Sequence, residues 1–228
     1  MAAEPGGVSV RTVTGTGAAR GGGLVRRLVE VPSGALFEGT AGPGGELWFV
    51  IAGTGRLEPG AAPAGAGTGA WLPPGGPYRW RGDGPGVLRL DCVRLPAGAR
   101  DQDGGHGAAA PRLAELRDCA VEVTGDRRFR VLFGPGNGCG AATQFVGEIP
   151  PGRAPPHSHP YDEVVLVLDG AGVLHAGTAQ HPIAAGSYAH LPPGQPHCLE
   201  NTGTGMLRVL GVFHPGGSPA AKKEAPAT

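Results

Sequence analysis

The 228-residue chain repeats itself. The segment GGELWFVIAGTGRL, from Gly44, returns as YDEVVLVLDGAGVL from Tyr161, placing Glu46 on Glu163 and Gly53 on Gly170 at an offset of 117. AWLPPGGPY, from Ala70, returns as AHLPPGQPH from Ala189, with Pro73 on Pro192 and Tyr78 on His197 at an offset of 119. VEVPSG from Val29 and GEIPPG from Gly147 are offset by 118. Three ordered matches at nearly one offset are not what scattered glycines and prolines produce. The chain must therefore fold as two copies of one module of roughly 100 residues.

Each copy reads as short apolar runs (Leu47 to Ala52, Val87 to Leu95, Phe129 to Phe133, Val164 to Leu168, Met206 to Phe213) separated by turn residues. With 44 glycines and 24 prolines but 40% hydrophobic and only 17% charged residues, the composition is that of turn-rich β structure, not of a disordered chain. Many short strands with regular turn signals predict an all-β sandwich or barrel. One helix is expected, over PRLAELRDC from Pro111 to Cys119, with Pro at its start and Leu113 and Leu116 three apart. It follows a polar linker that begins at Arg100. The expected division is a flexible N-terminal arm over 1–22, a first barrel over 23–99, a linker with a short helix over 100–118, a second barrel over 119–215 and a disordered tail over 216–228.

The charges narrow the partners. Nineteen basic residues cancel nineteen acidic ones, which argues against nucleic acid. No apolar run has the 18 or so residues that a membrane helix needs. The N-terminus lacks the apolar segment of a signal peptide, and Cys92, Cys119, Cys139 and Cys198 form no CxxC pair. The expectation is a cytoplasmic protein with reduced thiols and a small-molecule substrate.

The second copy carries the chemistry. His157 and His159 are two apart, so in an extended segment their imidazoles turn to the same face. Glu163 has the same parity and opens the run Val164 to Leu168. His197 follows the turn Pro192-Pro-Gly-Gln-Pro at the start of another strand. Three imidazoles and a carboxylate facing one interior suit Fe, Mn, Ni, Co or Zn, and suit Ca or Mg poorly. Gln144, Tyr161, His175 and His190 are the candidates for catalytic or ligand-orienting roles, with Glu148, Asp162, Tyr188 and Arg153 as further polar neighbours. His106, His181 and His214 are expected in solvent, and Cys198 should face away from the ligands.

These residues resemble the two motifs of the cupin superfamily. The second, G-x5-P-x-G-x2-H-x3-N, is matched by Gly186, Pro192, Gly194, His197 and Asn201. The first, G-x5-H-x-H-x3,4-E-x6-G, is matched by His157, His159, Glu163 and Gly170, with Gly152 one residue closer to His157 than the pattern has it. With the repeat, the resemblance covers roughly residues 25 to 215. It implies a bicupin, two tandem jelly-roll-like β-barrels, with one divalent transition metal per chain, Fe favoured, held by His157, His159, Glu163 and His197. It also implies dimerisation through sheet edges. In the first copy only Glu46 of the four ligands is kept and Tyr78 replaces His197, so that barrel is expected to hold no metal and to cover sheet edges of its partner. Two open coordination positions on the metal favour a dioxygenase. A redox-neutral isomerase, lyase, decarboxylase or ureidoglycine-aminohydrolase-like hydrolase is the alternative, and a non-catalytic sensor is a third. The ureidoglycine aminohydrolases share the layout but have other residues where His157 and His197 stand.

Overall fold

A computed structural model describes residues 2–3, 7–14, 23–60, 62–99 and 110–221. His106 and the linker from Arg100 lie outside them. Among the described residues the strands form four sheets. In the first half the larger sheet runs Ala2–Ala3, Ser9–Thr14, Val25–Val31, Leu88–Arg94, Glu46–Ala52, Thr68–Leu72, Arg112–Glu115, and the smaller runs Leu36–Thr40, Pro77–Gly82, Thr54–Glu58, Ala62–Gly65. In the second half the larger sheet runs Glu122–Thr124, Arg127–Phe133, Thr143–Ile149, Leu207–His214, Asp162–Asp169, Tyr188–Leu191, and the smaller runs Gly152–Arg153, His197–Asn201, Ala171–Ala176, Ala179–Ala184.

The repeat is thus a repeat of topology. Val31 pairs with Leu88 where Ile149 pairs with Leu207. Gly53 and Gly170 both take the left-handed conformation, with φ of +82° and +88°. A Cβ there would stand 2.9 Å from the Leu88 Cα and 3.0 Å from the Leu207 Cα, so only glycine fits either turn. The duplication also reaches further than the sequence matches do. Ser9 pairs with Glu30 as Arg128 pairs with Glu148, so Ser9–Thr14 is the counterpart of Arg127–Phe133. The arm over 1–22, read as beginning disordered and then adding a strand, contributes Ser9–Thr14 to the larger sheet, paired with Val25–Val31.

Two further expectations are corrected. The segment read as a helix is the strand Arg112–Glu115 followed by one 3-10 turn, Leu116–Asp118. A helix of that length is marginal on its own, whereas the open edge of Thr68–Leu72 offers Arg112 to Glu115 a full set of backbone partners. The tail read as disordered from 216 begins docked. Gly216 N–H donates to the Ala141 carbonyl at 3.2 Å and Gly217 N–H to Thr143 Oγ1 at 3.0 Å. Residues 222–228 lie outside the described set.

Alternation sends one face of each large sheet into its own barrel and the other face out. Those outward faces, Leu47, Phe49, Trp71, Val93 and Leu95 from the first half and Leu132, Val146, Val164, Leu166, Leu210 and Val212 from the second, share one buried cluster. The first barrel therefore covers a sheet face of the second, not the edges it was expected to cover. The reason is area, since a face of aliphatic side chains removes far more apolar surface from water than an edge does. At this interface Arg26 meets Asp91 through two hydrogen bonds of 2.7 and 3.0 Å, with side chains 3% and 0% exposed.

The interiors differ. Phe37, Trp48, Tyr78 and Trp80 fill the first barrel, with ring centroids from 5.2 to 6.1 Å apart. By the repeat, Val165 stands where Trp48 does and Leu199 where Trp80 does. Those two reductions in volume open a cavity of about 80 Å3 in the second barrel, walled by both residues.

Candidate metal centre

The cavity floor is made by the four side chains that the motifs single out. His157 and His197 are cross-strand neighbours, joined by His157 N–H to the His197 carbonyl at 2.9 Å and the reverse bond at 2.7 Å. The turn before His197 is shaped by Gly194, at φ +76°, whose N–H donates to the His159 carbonyl at 2.7 Å and so ties the loop of one ligand to that of another. Asn201 anchors the far end of the strand, its amide donating to the carbonyls of Ile149 at 2.8 Å and Gly205 at 2.7 Å. Glu163 lies at the start of Asp162–Asp169, between Leu191 and Phe213.

One ligand atom from each of His157, His159 and His197 lies within 4.8 Å of the other two, and all three residues are buried. Glu163 Oε2 is 3.3 Å from His197 Nε2 and 3.6 Å from His159 Nε2. It is buried and, among the described residues, accepts no hydrogen bond. The Nδ1 atoms of His157 and His197 sit 3.1 and 2.9 Å from the carbonyl oxygens of Pro155 and Gln195. A carbonyl only accepts, so each Nδ1 carries the proton and each Nε2 is the donor atom to a cation. A buried carboxylate oxygen lacking a hydrogen bond, beside imidazoles with their tautomers set this way, fits a divalent transition metal.

The other candidates lie elsewhere. Tyr161 stands behind the ligands, stacked on the His159 ring at 4.8 Å and 11°. Burial, with the Glu163 charge adding to it, pushes its phenol up to about 12, so it stays protonated at neutral pH. Gln144 points away from the cavity into the barrel interface, donating to the Trp48 carbonyl at 3.3 Å. His190 pairs with Val164, on the face opposite Glu163, and is bound to Asp162 Oδ1 at 2.9 Å. His175 pairs with Cys198 on the outer face of the small sheet, bound to Glu200 Oε2 at 2.7 Å. In each case a one-residue change of parity separates the outer face from the interior. Arg153 is exposed against Cys198 Sγ. His214, expected in solvent, is half-buried with Nδ1 2.9 Å from the Ala141 carbonyl. All four cysteines are free.

In the first barrel Glu46 is fully buried and engaged by protein donors. It accepts from Arg27 Nη2 at 3.0 Å, Arg94 Nε at 2.9 Å, Trp48 Nε1 at 3.0 Å and the Gly42 N–H at 3.3 Å. Guanidinium groups thus face Glu46, where its counterpart Glu163 faces imidazoles.

What the sequence reading missed is the cavity wall. Phe129, Phe145, Ile149, Leu191 and Val209 line it, as do Arg127 and, from the docked C-terminal segment, Pro219. The parity of Phe145 and Phe129 was available as a signal; the reach of Pro219 across the barrel was not.

Residues 145–213 match the family model described as the cupin domain. No curated protein matches the chain. Among solved structures it superposes on a variant of Bacillus subtilis oxalate decarboxylase with a TM-score of 0.72 and 15% identity, covering 91% of this chain and 73% of that one. Mn(II) centres are described for that enzyme. A putative glyoxylate-induced protein from Pseudomonas aeruginosa gives 0.77 and 18%, over 92% and 82% of the two chains. The protein Ylba from E. coli gives 0.73 and 14%, over 92% and 85%. Among the described residues no helix is long and apolar enough to cross a membrane. Family match, strand order and the geometry of the histidine cluster meet in the same half of the molecule: residues 145–213 form a cupin domain, and the same barrel fold is repeated before it.

Proposed function

We propose that the second barrel is the seat of a metal-dependent enzyme that acts on a small polar organic molecule, with iron as the cation and dioxygen as co-substrate. The observation that carries the reading is the buried set of three imidazoles and one carboxylate opening onto a cavity of about 80 Å3. When bound, a redox-active cation supplies Lewis acidity and electron exchange with dioxygen and substrate.

The chain's own residues supply the rest. Pro155 and Gln195 carbonyls hold two imidazoles in the ligating tautomer. Phe129, Phe145, Ile149, Val165, Leu191 and Leu199 keep water out and keep the local dielectric low. A cavity of about 80 Å3 limits the substrate to a short molecule. Besides the four ligands, the titratable residues along it are Arg127, Arg128 and Glu148. Glu148 lies on the outer face between Arg130 at 3.7 Å and Arg208 at 3.8 Å. Among the described residues, a reaction that needs a protein base at neutral pH finds none poised inside besides the four candidate ligands, and this favours oxygen chemistry over isomerisation. A decarboxylase is the second reading, favoured by the likeness to oxalate decarboxylase along 91% of the chain.

The test begins with metal-resolved mass spectrometry of protein purified without chelator. Oxygen uptake and carbon dioxide release are then followed with short oxo acids, hydroxy acids and dicarboxylic acids. Oxygen consumed in step with product supports the dioxygenase, and carbon dioxide released without oxygen supports the decarboxylase. Turnover unchanged in Glu163→Ala, or in protein stripped of metal, would overturn both.

A further inference from the structure

Resting on the reading of the second barrel as a metal-dependent enzyme, we propose that Arg127 anchors the substrate and that the substrate carries a carboxylate at the end that meets Arg127. Arg127 opens the strand Arg127–Phe133 and lines the same cavity as the four ligands. Alternation places it on the face of Phe129, which is buried with Phe145, Tyr161 and Phe213 against the His159 ring. Its cross-strand partner Thr124 shares that face and also lines the cavity.

The first barrel gives an independent reading of this position. Since Ser9 is the counterpart of Arg128, Val8 is the counterpart of Arg127. Val8 is 0% exposed and belongs to the core of the first barrel. The fold therefore turns this position inward in both halves. Where the barrel is filled the residue is valine; where it holds a cavity the residue is a cation.

Among the described residues Arg127 has no internal employment that explains it. Its side chain is 20% exposed, its Nε is buried without a hydrogen-bond partner, and its nearest acid is the exposed Asp126 at 3.9 Å. Glu148 does not neutralise it, being held on the opposite face by Arg130 and Arg208. Arg128 borders the cavity as well, but it has the parity of Glu148 and is exposed. Burying part of a guanidinium costs free energy unless a partner completes its hydrogen bonds. A carboxylate matches the planar fork of donors, which a neutral amide or a lone hydroxyl does not. The charges agree: three neutral imidazoles, one carboxylate and a divalent cation sum to one positive charge, and Arg127 adds a second, so the pocket is complementary to a short dianion or to a monoacid with a second oxygen donor.

The test is titration calorimetry with oxalate, malonate and succinate, and with their neutral diamides as controls. It uses wild type, Arg127→Gln, Arg127→Lys and, as a charge control in the first barrel, Arg89→Gln, each both loaded with Mn(II) and treated with EDTA, with metal content and Tm measured in parallel. The expected result is that at least one acid binds wild type, that its diamide binds at least tenfold more weakly, and that Arg127→Gln weakens the acid by about tenfold or more, the range of a charge-assisted hydrogen bond. Arg127→Lys should fall between, Arg89→Gln should stay within about twofold, and no variant should lose metal. The proposal is overturned if Arg127→Gln binds the acids as wild type does, if the diamides bind equally well, if Arg89→Gln has the same effect, or if no acid binds wild type in either state. Should wild type take up no metal, the enzyme reading fails, while Arg127 is still judged by the EDTA-treated titrations. Should Arg127→Gln not fold, Arg127→Lys decides, since it keeps the charge and loses the fork.

Discussion

Replacing Arg26 with Met tests whether the first barrel serves the second as a brace. Asp91 is 0% exposed, and its two hydrogen bonds from Arg26 are 2.7 and 3.0 Å long, at the face where the barrels meet. Removing one partner of a buried pair leaves an uncompensated charge, a loss of about 3–5 kcal/mol. For a chain of this size each kcal/mol moves Tm by roughly 2–4 °C, so Arg26→Met should melt about 10 °C lower. Burial raises the Asp91 carboxyl while Arg26 lowers it, so the variant's Asp91 rises further. An acid whose folded pKa lies above its unfolded value stabilises the fold fully below the unfolded pKa and loses that contribution as pH rises. The gap between variant and wild type should therefore close as pH falls from neutral toward about 4. The double variant Arg26→Met/Asp91→Leu should recover most of the loss, because Arg26 Nη1 is itself buried without a partner. The assay is thermal unfolding of EDTA-treated protein from pH 7 to 4, so that metal release adds nothing. A loss below about 1 kcal/mol, or a gap that does not change with pH, refutes the reasoning.

Leu199→Trp copies the first barrel's Trp80 into the cavity wall. It should abolish binding of any substrate while metal content stays at wild-type level, at a stability cost of about 1–3 kcal/mol for overpacking; loss of metal instead would show that the wall and the ligand set are one unit. The Tyr78 phenol is pushed up to about 12, by burial first and by the Glu46 charge second. Stability should fall as pH rises from about 10 toward 12, and Tyr78→Phe should blunt that fall in urea unfolding curves taken across the range. Chelation should lower Tm by the linkage free energy, about 2.7 kcal/mol where free metal had stood a hundredfold above its Kd. Glu163→Gln should shrink that shift, and an equal shift in Arg27→Met or wild type alone would not distinguish the barrels unless metal analysis also gives a single ion per chain.

Much of this molecule was readable in its order of residues. Glycines at equal offsets mark turns that only glycine can make, so Gly53 and Gly170 announced the duplication before any strand was placed. The four candidate ligands were legible because a period of two and a Pro-Gly turn are local properties, each set within a few residues. Parity alone, however, does not say which face of a strand looks inward. His175 and His190 read as well as His157 did, and they lie outside because their strands pair with Cys198 and Val164 on outer faces. The strand Ser9–Thr14 was invisible as a repeat, since pairing is made by the backbone and leaves no signature in side chains. The C-terminal segment was read by composition as loose, yet Gly216 and Gly217 dock because they lack side chains that would strike Pro135 and Tyr161. Sequence determined that there are two barrels and which residues in the second can hold a cation, because those are consequences of local conformation and ligand chemistry. Only the tertiary structure decided which barrel is hollow and that its lining includes Phe129, Phe145, Arg127 and Pro219, because these depend on how volumes from distant strands add up in one enclosed space.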